Sequence, residues 1–186
     1  MYLDSLRQDR LAAAVIATVI IVNGLLFFLA RDLTYVHIDA IAHVNKARGL
    51  FDNATPGIRQ LGSVWLPLQH LLIAPLAWFD FLWRTGLAGS LLSAACFVGT
   101  SVFLLSTAVN WTGTRFAGWM AFLLFALNPR LIYFFTTPMT EPLMIFCIAG
   151  SVYYLMQWGH TARWRPFAMA SLMVFAGTLT RYEGWA

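Results

Sequence analysis

Three short stretches carry nearly all the chemistry this chain offers. The first, YVHIDAIAHVNKARGLFDNATPGIRQLG at 35–62, places Asp39, His43 and Lys46 at three- and four-residue spacing. A carboxylate there can act as a general base or orient a nucleophile. His37, Asp39 and His43 are metal-ligating types, but HIDAIAH has no standard ligand spacing, so a divalent metal is not favoured. The second stretch, TTPMTEP at 136–142, sets Thr140 and Glu141 before Pro142 and an apolar run. That is an ordinary helix start, so Glu141 is either a helix-start acid or a cavity group. The third, LTRYEGW at 179–185, puts Arg181 and Glu183 directly after another apolar run. They form a snorkelling pair at an interface, or Arg181 turns its forked, always-charged guanidinium toward a phosphate. Nucleophile elbows, P-loops, dinucleotide fingerprints and H-E-x-x-H motifs are all missing.

The elements that would position these groups follow from hydrophobic patterning. On a helix turning about 100° per residue, Asp39, His43 and Lys46 share one sector. Ala40, Ile41, Val44, Ala47 and Phe51 fall opposite, interrupted by Arg48. This reads as an amphipathic helix on a membrane surface, its apolar face in the lipid boundary. The turn formers of DNATPG end it. Its bland alternative is a solvated polar face that only anchors the loop.

Composition sets the surroundings. The 186 residues are 60% hydrophobic and 11% charged, against roughly a quarter charged in a soluble domain. Apolar runs at 11–30, 66–83, 87–109, 116–135, 142–158 and 167–179 make this a polytopic, all-α membrane protein. The formal charge of +4 is scattered among the runs, so nucleic acid is not an expected partner. Cys96 and Cys147 sit inside apolar runs as small core residues. The first run lacks a cleavage pattern and follows Arg7 and Arg10, so it reads as an uncleaved anchor with a cytoplasmic N-terminus.

Counting every run as a crossing leaves Arg115, Arg163 and Arg165 outside. If 66–83 does not cross, five spans remain and all three fall inside with Arg7 and Arg10. The content of LPLQHLLIAPLAWFDFLW agrees, because Pro67, Gln69, His70, Pro75 and Asp80 fit poorly in lipid. The expectation is one transmembrane domain over 1–186, with about five helices. An outer loop, 31–86, carries juxtamembrane helices, and all three chemical stretches share the outer face.

In that order, HIDAIAHVNKARGLFD, PGIRQLGSVWLPLQHLL, MTEPL and LTRYEGW resemble the membrane-embedded glycosyltransferases of the GT-C fold. The likeness is to the family-39 type, related to protein O-mannosyltransferases and lipid A aminoarabinose transferases of the cell envelope. It covers essentially the whole chain but only the N-terminal half of such an enzyme. The chain is therefore expected to be the front part of a longer protein and to be of doubtful activity alone. The resemblance implies inverting transfer of a sugar from a polyprenyl-phosphate donor to a protein, lipid or glycan acceptor, at the periplasmic or luminal side of the bilayer. Asp39 matches the family's first-loop acid. Where that loop often holds two adjacent acids, Ala40 stands here, which argues against metal dependence. No cofactor is implied. Arg181, then Arg59 and Lys46, are expected to meet the phosphate. Glu141 would orient sugar or acceptor, with His43, Gln69 and His70 in the substrate cavity. The rival class is a transporter or flippase for lipid-linked or small polar substrates. It expects ionisable groups near mid-bilayer, whereas Asn23 and Asn128 are neutral and Arg130 lies near a run's end.

Overall fold

A computed structural model describes residues 2–61 and 64–185. Among them the fold is entirely helical. Helix α1 (Tyr2–Leu29) leads to three short helices, α2 (Ile38–Arg48), α3 (Leu68–Ala77) and α4 (Asp80–Thr85). Then come α5 (Leu87–Thr112), α6 (Arg115–Ala126), α7 (Pro129–Phe134), α8 (Glu141–Thr161) and α9 (Trp164–Thr178). Single 3-10 turns lie at Ile58–Leu61 and Tyr182–Trp185.

Among the described residues, two helices are long and apolar enough to cross a membrane: α1 over Ser5–Leu29 and α5 over Leu87–Thr112. On α1, Leu11, Val15, Val19, Val22 and Leu26 recur at helical spacing and are all exposed. That is the reverse of a water-facing helix, where the outer stripe is polar. The other stripe, including Ala13, Ala17 and Ile21, is buried against the bundle. Helix α5 is the central post, contacting α1, α6 and α8. Phe97 on α5, Phe125 on α6 and Phe135 beyond α7 form an aromatic triangle with centroids 5.1 to 5.5 Å apart.

The apolar run 116–135 is two helices, not one. Pro129 cannot donate a backbone N–H, and the Asn128 side chain caps the new helix by accepting from the backbone N–H of Arg130 and Leu131. The run 66–83 likewise breaks into α3 and α4, of 10 and 6 residues.

The short helices form a platform over one end of the bundle. The apolar face of α2 packs inward: Ala40, Val44 and Ala47 are wholly buried, and Val44 and Ala47 pack with Ile73, Ala77 and Ala88. The expectation that this face lies in lipid is therefore corrected at Ala40, Val44 and Ala47, whereas Ile41 stays exposed. Arg48, which breaks the apolar sector, is the platform's staple. It pairs with Asp52 and Asp80, each at 2.7 Å, and donates to the carbonyls of Ala77 and Trp78 that end α3. Tyr35 donates to the Trp83 carbonyl and Thr34 to that of Thr85. One backbone bond, Leu68 N–H to Leu179 O at 3.1 Å, ties the platform to the segment after α9.

The far end of the bundle is closed by side chains. Asp9 accepts two bonds of 2.6 Å from Arg115 and a third from Trp119. Arg10 donates to Ser106 and to the Tyr153 hydroxyl.

Candidate active site

A cleft of about 320 Å³ opens between the platform and the chain's two other polar stretches. Asp39 and His43, one turn apart on α2, line one wall. Thr140 and Glu141, where α8 starts, and Arg181 with Glu183, beyond α9, line the other. Trp65 and Tyr182 also border it.

Each wall has a local cause. Asp39 falls in the first turn of α2, where an acid suits the positive helix end. The ring of His37, just before the helix, packs against Tyr133 and Phe134 of α7 and fixes where α2 begins. Pro142 opens α8 and leaves Glu141 at its tip. Gly89 on α5 lets the 136–140 loop sit close, since a Cβ there would lie 2.2 Å from the Pro138 side chain. Gln69 donates to Pro138 O and Ser93 to Thr137 O, locking that loop to the platform and to α5.

Arg181 is the hub of the second wall. Its Nη1 lies 2.7 Å from Glu141 Oε1 and donates to Thr140 Oγ1 at 2.8 Å. Its Nε and Nη2 form a fork onto the two carboxylate oxygens of Glu183. That bond holds the Glu183 carboxyl below the usual carboxylate range. Glu141 Oε2 is buried without a hydrogen-bond partner among the described residues. Asp39, Glu141 and Glu183 against Arg181 give the lining an excess of negative charge.

Behind the first wall stands a buried histidine pair. His43 Nδ1 is 3.0 Å from His70 Nε2, and His70 Nδ1 is 3.1 Å from Leu66 O. Trp65 packs on the His43 ring at 4.8 Å between centroids. Burial, with His70, Arg181 and Lys46 adding positive potential, pushes His43 down to about 3. Burial likewise lowers His70, to about 4, although its bond to Leu66 works the other way. Both rings are therefore neutral near pH 7.

The structure brings Asp39, His43, Glu141 and Arg181 together on one cleft and leaves four other expected residues off it. Gln69 and His70 are buried behind the wall as supports rather than lining. Lys46 donates to Gln60 O, which holds the 3-10 turn to α2. Arg59 borders a neighbouring groove with Trp65 and Tyr182. His43 is also not on a solvated face, being only 1% exposed. Glu183 and Thr140 also line the site although neither was expected to act there; their sequence neighbours Arg181 and Glu141 were the available signal. No group of three or more His, Cys, Asp or Glu side chains able to hold a metal occurs among the described residues.

Set beside protein-family models, the curated proteins and the solved structures, the chain matches none of them.

Proposed function

We propose that this chain spans a membrane five times and that its cleft transfers a sugar from a polyprenyl-phosphate donor to an acceptor on the outer side. The observation that carries the reading is the convergence of Asp39, Glu141 and Arg181 on one cleft from three separate parts of the chain. The crossings are α1, α5, α6 with α7, α8 and α9. This ordering puts Arg7, Arg10, Arg115, Arg163 and Arg165 on the inner side, as the positive-inside bias requires. The platform and the cleft then share the outer side, at the height where a lipid-borne phosphate sits.

In the reaction, the acceptor oxygen attacks the anomeric carbon as the bond from that carbon to the phosphate oxygen breaks. The acceptor's proton passes to Asp39, and polyprenyl phosphate leaves with the bonding pair. Configuration inverts because attack and departure are on opposite faces. Asp39 as base is worth about 10²–10⁴ in rate. Arg181 stabilises charge on the departing phosphate after exchanging Glu183, the more exposed of its two carboxylates, for the phosphate. Glu141 Oε2, an orphan acceptor, takes a sugar hydroxyl.

The test is transfer from a synthetic polyprenyl-phosphate sugar by the full-length protein in liposomes, with donor binding measured in parallel. Asp39→Asn is expected to lower turnover by about 10²–10⁴ and leave donor binding intact. Near-normal turnover in a folded Asp39→Asn protein would remove Asp39 from the chemistry. Absence of any transfer by the unaltered protein would remove the reading itself.

A further inference from the structure

The buried histidine pair does more than fill space beneath the platform. Leu66 O can only accept, so His70 Nδ1, 3.1 Å away, must carry a hydrogen. Neutral His70 then has a bare Nε2. His43 Nδ1, 3.0 Å from it, must therefore carry the next hydrogen. Neutral His43 is left with a lone pair on Nε2, and His43 lines the cleft. A backbone carbonyl two links away thus fixes which nitrogen of His43 is the acceptor.

We infer that His43 Nε2 accepts the hydrogen of a neutral hydroxyl, so that the α2 wall selects a hydroxyl-bearing acceptor and disfavours a phosphate. The inference rests on the cleft being the transfer site proposed above. Asp39 and His43 together make that wall a row of acceptors. A hydroxyl satisfies it by donating. A fully ionised phosphate has no hydrogen to give and meets the Asp39 carboxylate head on. The donors, Arg181 and Thr140, stand on the opposite wall and suit the phosphate of the sugar donor instead. The cleft is polarised across its width.

The charged and titratable groups around His43 favour the neutral ring near pH 7. Burial first, then His70 on α3, Arg181 beyond α9 and Lys46 on α2, disfavour its protonation. Asp39, Glu141 and Glu183 line the same cleft, the latter two paired with Arg181. In the proposed reaction the proton passes to Asp39, and His43 orients the hydroxyl. His70 is a positioning residue that acts through His43.

The experiment is nitrogen NMR on ¹⁵N-histidine-labelled protein in nanodiscs. It uses n-octyl mannoside as a hydroxyl probe and n-octyl phosphate, at a pH where it is fully ionised, as the contrast. Both histidines are expected as Nδ1–H tautomers, without titration between pH 5 and 8. The mannoside should move the His43 Nε2 resonance, and the phosphate should leave it in place. His43 seen as the Nε2–H tautomer or as a cation at neutral pH would overturn the inference. So would a phosphate-induced shift, or no shift with the mannoside. Two variants keep the result independent of folding. His43→Asn retains a donor toward His70 but loses the cleft acceptor, and mannoside affinity should fall about tenfold. His43→Gln can place its amide oxygen near the lost Nε2 and should recover part of that affinity. Equal loss in both folded variants would reduce His43 to a packing role. Mannoside binding through His43 without sugar transfer would defeat the transferase reading alone. Transfer with the opposite tautomer would defeat this inference alone.

Discussion

The two ends of the helical bundle are each closed by arginine and carboxylate, and they are built on opposite plans. At the far end, Asp9 is nearly sealed, 5% exposed at its side chain, and Arg115 and Trp119 satisfy it with three bonds. One acid meets one base, and neither oxygen is orphaned. At the platform end, Arg181 is shared by two carboxylates, Asp39 adds a third negative charge to the lining, and Glu141 Oε2 is buried without a partner among the described residues. A balanced, filled cluster is a staple. An unbalanced cluster around a cavity is a place prepared for something else, because buried polar groups normally find partners.

Removing one partner at each end should separate these roles. Arg181→Ala is expected to weaken binding of a polyprenyl-phosphate sugar by about 10–100-fold, the range for a lost charge-assisted bond, and to slow transfer as well. Calorimetry or a fluorescent-lipid titration reads it. Unchanged donor affinity would mean that Arg181 serves only to hold Glu141 and Glu183.

Acidification should strike the platform. The folded-state values of His43 and His70 lie below the ordinary value of 6.5, so the unfolded chain takes up protons that the folded one refuses. Stability is thus fully present above pH 6.5 and is lost as pH falls toward 3. The slope is about 1.4 kcal/mol per pH unit for each proton. Thermal unfolding followed against pH measures the slope. An identical slope in His70→Gln would assign it to other groups.

Asp9→Asn should cost about 1–2 kcal/mol of stability, less than a wholly buried pair because Arg115 is half exposed. Turnover per folded molecule should not change. A large loss of turnover at full stability would make the far end part of the machinery and erase the contrast. The smallest effect belongs to Glu183→Gln. It leaves Arg181 one competitor fewer, and phosphate-donor affinity should rise a few-fold; a fall would show that Glu183 positions Arg181.

How much of this was written locally in the sequence differs from element to element. Glu141 and Arg181 were legible because each stands at the edge of an apolar run, where helix ends and chain direction leave little freedom. In the 66–83 run Pro67 signalled the start of α3, whereas the break at Trp78–Phe79 carries no proline and Pro75 lies inside α3. Asn128–Pro129 carried the same kind of signal within 116–135, yet the surrounding hydrophobicity masked it. The burial of His43 could not be read. A helical projection shows that polar residues share a face, but only the tertiary fold brings His70 and Trp65 over it. For the same reason Gln69, His70, Lys46 and Arg59 looked alike as candidates: each is a polar group in apolar company, and what separates them from the lining is the direction each side chain takes.

The Leu68 to Leu179 backbone bond acts as a crossbar on the cleft. It joins the segment entering α3 to the segment that delivers Arg181, so main chain braces the spacing of the two walls beside the Gln69 side chain. An aperture framed this way has a preset width. On the proposed function, a substrate too broad for the cleft would have to break this backbone hydrogen bond and displace the segment that carries Arg181. On that same reading, size selection and the placing of Arg181 would share this one backbone hydrogen bond, between residues 111 positions apart.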